Sequence, residues 1–101
     1  SKADWKLYRE RVSDWQEHYM EKLTAEYVKL LTSPGNASDH FWELEKRIKR
    51  DKKHPGILIE LRKSTAIWDI AYFVRDKVIT MDELEGFSED LIDAVKLILS
   101  R

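Results

Sequence analysis

A chain of 101 residues supports one domain, 1–101, being shorter than the ~150 residues of an average one. Its residues are 43% hydrophobic and 37% charged, enough apolar material for a core under a surface more charged than the usual ~25%. Eighteen Lys and Arg against nineteen Asp and Glu leave a net charge of −1, which excludes binding nucleic acid or anionic lipid by bulk charge. Three Gly and two Pro are too few for a turn-rich all-β protein. Zero Cys excludes thiol catalysis, disulfides and thiolate metal sites.

The first element is a long helix over about 4–32. Trp5, Tyr8, Val12, Trp15, Tyr19, Leu23, Tyr27 and Leu30 or Leu31 recur at steps of three and four, and no Gly or Pro interrupts them. At ~1.5 Å per residue it is a rod of about 42 Å. Thr32 to Ser38, with Pro34 and Gly35 inside it, is a breaker cluster. A second helix follows over about 38–53, with acids at its start and bases at its end, as the helix dipole favours. His54-Pro55-Gly56 stops it. Pro is tolerated in a first helical turn, so a third helix is predicted for about 57–77, and its apolar residues on nearly every side make it the central one. Thr80 to Glu83 is a capping box that opens a short turn over 80–85, and a last helix runs over about 88–100.

The expected fold is thus all-α: a single-domain antiparallel helical bundle of four main helices plus one short helical turn. Its core is expected to hold Val12, Trp15, Tyr19, Leu23, Tyr27, Phe41, Leu44, Ile48, Leu58, Leu61, Trp68, Ala71, Tyr72, Leu84, Phe87, Leu91, Val95 and Ile98. As a core residue, Trp68 should cost roughly 3–5 kcal/mol when cut to Ala. No run approaches 18 apolar residues, so no membrane span is expected. Ser1 to Asp4 lacks a basic region followed by an apolar run, so the chain is expected to be cytoplasmic.

Chemistry-bearing residues are sparse. His18 and His40 each stand three residues before a Glu, but a hairpin turning near residue 35 sets them about 18 Å apart along its axis, too far to share an ion. Asp76 to Leu84 has the outline of half a calcium loop, yet Tyr72, Val74 and Lys77 stand where two carboxylates and a Gly are needed. No metal, cofactor or catalytic residue is assigned. Asp69, between Trp68 and Ile70, is the one carboxylate to examine for a raised pKa, with a Lys or Arg partner as the simpler expectation.

Two charge features remain. Lys46, Arg47, Lys49, Arg50, Lys52 and Lys53 form a basic patch at the end of the second helix, and Asp82 to Asp93 carries six acids with no base. The first is a candidate nucleic-acid contact and the second a candidate protein contact. Because the second helix covers only half of the first, Trp5, Tyr8, Val12 and Trp15 are expected to form the interface of a homodimer.

The string Phe41 to Lys53, with Val78-Ile79-Thr80, Asp82-Glu83-Leu84 and Phe87-Ser88, resembles small uncharacterised helical cytosolic proteins of Gram-positive bacteria. In size and helix count the chain is also similar to four-helix bacteriocin immunity proteins. Neither resemblance carries a functional site. The reading that follows is a non-enzymatic protein–protein interaction or regulatory module of a bacterial cell. The alternatives are nucleic-acid binding through residues 46–53 and an immunity-like bundle.

Overall fold

The computed structural model describes all 101 residues, Ser1–Arg101, and every regular element is helical. The four main helices are α1 (Lys2–Thr32), α2 (Ala37–Asp51), α3 (Ala66–Arg75) and α4 (Glu89–Leu99), with 3₁₀ turns at Lys63–Thr65 and Met81–Leu84. The Ser1 side chain caps α1 by accepting from the Asp4 N–H. After Ser33-Pro34 the chain turns at Gly35, whose φ of +140° is a conformation L side chains avoid.

The turn sends α2 back along α1. Ser33 Oγ lies 3.3 Å from His40 Nε2, Arg47 reaches Glu26 at 3.6 Å, and His54 stacks on Tyr19 with centroids 4.4 Å apart. Each step of seven forward along α2 is therefore a step of seven back along α1. The pairing stops at Tyr19. The second half of α1 and α2 form a two-helix arm, in which Leu23 is buried.

The first half of α1 belongs to a denser body. Tyr8, Val12 and Trp15 share one core with Ile70, Ala71 and Phe73 of α3, with Leu84 and Phe87, and with Leu91 and Val95 of α4. Trp15 meets the Phe73 ring edge-on at 5.9 Å, a favoured aromatic geometry. The Thr80–Glu83 capping box is formed and opens the Met81–Leu84 turn, and Ser88 caps α4 by accepting from the Leu91 N–H. Asp4 fastens the start of α1 to that cap, accepting from the Ser88 N–H at 2.8 Å and the Ser88 hydroxyl at 2.6 Å. The molecule measures 52 × 27 × 21 Å, with a radius of gyration of 16.4 Å against ~13 Å for a compact chain of this length.

The third helix is much shorter than the predicted 57–77. Leu58 to Arg62 form an irregular strap with no helix or strand, and α3 starts only at Ala66. Distance is the reason. The chain leaves α2 beside Tyr19, where Gly56 abuts the Tyr19 ring, and begins α3 beside Trp5. Fourteen residues of α1 span about 21 Å; nine residues cover that when extended at ~3.3 Å each but only about 13 Å when helical. Several core expectations fall with the helix. Leu58 and Leu61 are exposed on the strap, and Trp68 at the edge of α3 is 43% exposed. Phe41 is also exposed, because α2 has no neighbour other than α1 along most of its length.

Candidate interaction surface

The aromatic stripe assigned to a dimer interface lies inside the chain. Tyr8, Val12 and Trp15 are buried and Trp5 is half-buried against the same core. The cover that α2 is too short to give comes from α3, which the strap carries back to Trp5, and from Phe87, whose ring lies 6.2 Å from Trp15. These four residues are therefore core positions, and no partner is needed to cover them.

The exposed apolar surface of the first two helices lies on the arm instead. Phe41 and Trp42 are each 62% exposed and meet edge to face at 5.0 Å, with Val28 and Leu31 exposed on α1. Nearer the body, Met20, Leu23, Tyr27, Ile48 and Ile57 line a groove of about 280 Å³ along one side of the arm. Asp51 closes its floor, accepting from the Tyr27 hydroxyl and from Arg50 Nε. Burial alone raises the Asp51 pKa, but these two bonds outweigh it and hold the group below its ordinary value. Burial, then the bond to Asp51, pushes the Tyr27 phenol up to about 12.

Of the basic patch, Arg47 pairs with Glu26 and lies over the Tyr27 ring, Lys49 pairs with Glu45 at 3.0 Å, and Arg50 pairs with Asp51. Lys46, Lys52 and Lys53 have no acidic partner within salt-bridge distance. The acids from Asp82 to Asp93 make no salt bridge either; Arg11 binds this segment through the carbonyls of Glu83 and Glu85. The fold thus leaves the two charged regions unjoined.

Asp69 is half-buried and its pKa is raised by that burial, against the opposing bond from the Thr65 hydroxyl at 3.0 Å and the charge of Arg62. Its hydrogen-bond partner is thus a hydroxyl one helical turn away. None of the cavities is lined by Asp69. No group of three or more His, Asp or Glu side chains is placed to hold a metal ion, and no helix is long and apolar enough to cross a membrane. A second apolar patch, Ile67, Trp68 and Leu97, lies on α3 and α4.

The sequence contained one signal for the arm surface. Phe41 and Trp42 are adjacent, so they point about 100° apart on a helix and one must leave any narrow buried stripe. Comparison of the chain with protein-family models, curated proteins and solved structures finds no match.

Proposed function

We propose that the protein is a non-enzymatic, cytoplasmic interaction module, its helices forming one antiparallel bundle-like unit that offers the α1–α2 arm to a protein partner. The observation that carries this reading is the exposure of Phe41, Trp42, Val28 and Leu31 together on an arm whose groove is already apolar. Large aromatic side chains are the residues that dominate binding energy at protein interfaces, and Phe41 and Trp42 stand side by side with most of their surface free. A capture experiment tests it. Wild-type chain and a Phe41→Ser/Trp42→Ser variant of equal helix content are used as bait in the native cell extract. Partners retained by the wild type and lost by the variant are expected; equal retention by both removes the arm from the interaction.

A second reading is favoured by Lys46, Lys52 and Lys53, which lack acidic partners on the helix that carries the exposed Phe41–Trp42 pair. Lysines beside free aromatic faces suit single-stranded nucleic acid, where bases stack and phosphates pair. Fluorescence anisotropy with single- and double-stranded DNA at two salt concentrations separates the readings. Steeply salt-dependent binding that Lys46→Glu/Lys52→Glu/Lys53→Glu abolishes favours nucleic acid; no binding at low salt leaves the protein partner.

A further inference from the structure

We infer that His54 is a pH-sensitive latch on the turn that joins the arm to the strap: its neutral ring holds the turn closed, and its protonated ring releases it. The chain leaves α2 after Asp51 and enters the strap at Leu58, so His54-Pro55-Gly56-Ile57 is the joint between them. Three contacts seat this joint on α1. The His54 ring lies flat on Tyr19, with centroids 4.4 Å apart and planes 6° from parallel. Gln16 Nε2 donates to the Pro55 carbonyl at 3.1 Å. The Gly56 backbone is pressed so close to the Tyr19 ring that a Cβ there would collide with it.

The latch lies inside the turn. The Gly56 N–H donates to His54 Nδ1 at 3.1 Å and bonds no backbone carbonyl. An imidazole nitrogen accepts only while it has no proton of its own, so the closed turn requires a neutral ring with its hydrogen on Nε2. An Asn side chain closes the same kind of turn by accepting from the N–H two residues on, and it does so at any pH. Histidine loses its acceptor within the physiological range. A proton on Nδ1 then faces the Gly56 N–H, donor against donor. Gly56 is buried, so its N–H has no bulk water to turn to. The joint must open before that group is satisfied again.

The surroundings hold the charged ring without restoring the bond. From α1, Tyr19 presents a neutral phenol, its pKa raised first by burial and then by the charges of Asp51 and Glu26. An aromatic face accepts a cation, so the stack survives protonation. At the end of α3, Asp76 is held below its ordinary pKa first by the bond from Arg75, then by the charges of Arg75 and His54. Asp76 is therefore ionised where histidine takes up a proton, and it attracts the charged ring while the Gly56 N–H gains no acceptor. At the end of α2, Arg50 and Asp51 pair with each other, and Lys52 and Lys53 precede His54 in the chain. The joint is thus closed above the pH range in which histidine is protonated and loosened below it.

NMR between about pH 7.5 and pH 5, which spans the ordinary titration of histidine, tests the inference. At the upper end the nitrogen shifts of His54 should show the hydrogen on Nε2. As that ring titrates, solvent exchange of the Gly56 amide, divided by its intrinsic rate at each pH, should rise at least ~10-fold. His54→Asn keeps an acceptor and does not titrate, so its Gly56 amide should exchange slowly at both ends. His54→Phe keeps a ring for Tyr19 but has no acceptor, so its Gly56 amide should exchange fast at both ends. A wild-type Gly56 amide equally protected through the full titration of His54 overturns the inference, and so does a ring that carries its hydrogen on Nδ1 at the upper pH.

Discussion

Tyr8 is wholly buried, its ring packed near Trp5, Trp15 and Phe73, yet its hydroxyl has no hydrogen-bond partner. A buried polar group without a partner costs free energy, so Tyr8→Phe should leave stability unchanged or raise it by about 1–2 kcal/mol in urea unfolding. A loss of more than about 1 kcal/mol would show that the hydroxyl has a bond to a bridging water. Asp4 is the opposite case. Its burial raises the pKa, but the two bonds from Ser88 and that from Ser1 hold it below the ordinary 3.8. A group with a lowered folded-state pKa stabilises the fold above its unfolded value, and that contribution is lost as pH falls through the folded one. Stability should therefore decline as pH falls below about 4, and Asp4→Asn should flatten the decline while costing about 1.5–3 kcal/mol at neutral pH. Trp68→Ala, at a position 43% exposed, should cost about 1–2 kcal/mol, well under the roughly 3–5 kcal/mol that Trp15→Ala costs in the core.

At the scale of elements, α1 was legible almost to the residue: steps of three and four with no breaker predict 4–32, and the helix is Lys2–Thr32. The capping box at Thr80 and the cap at Ser88 were equally local and equally readable. The strap was not. Leu58-Ile59-Glu60-Leu61 is as apolar as a buried helix, and what keeps it extended is the distance from Tyr19 to Trp5, which no local window contains. The arm differs from the body in a measurable way. In α2 Asp51 is the one buried residue, whereas α3 buries Ala66, Ile70, Ala71 and Phe73. Amide hydrogens of α2 should therefore exchange by local opening well before those of α3 in the isolated chain. Equal protection in both would mean that the arm is already covered.

At the scale of the molecule, α1 is the only element shared by arm and body, and the strap is their second covalent link. The backbone N–H groups of Ile59, Glu60, Leu61 and Arg62 bond no other backbone group, and Leu58 beside them is 73% exposed. Extended, unbonded backbone of this kind fits a protease cleft without prior unfolding. Brief treatment with trypsin should cut first at Arg62 or Lys63 and yield two fragments on a denaturing gel. Those fragments should still migrate as one particle under native conditions, because Tyr8, Val12 and Trp15 in the first remain buried against Phe73, Leu91 and Val95 in the second. The chain is in this sense already divisible: residues 1–60 and 61–101, produced as separate polypeptides, should find each other and rebuild the body, with α1 as the template on which the second piece folds.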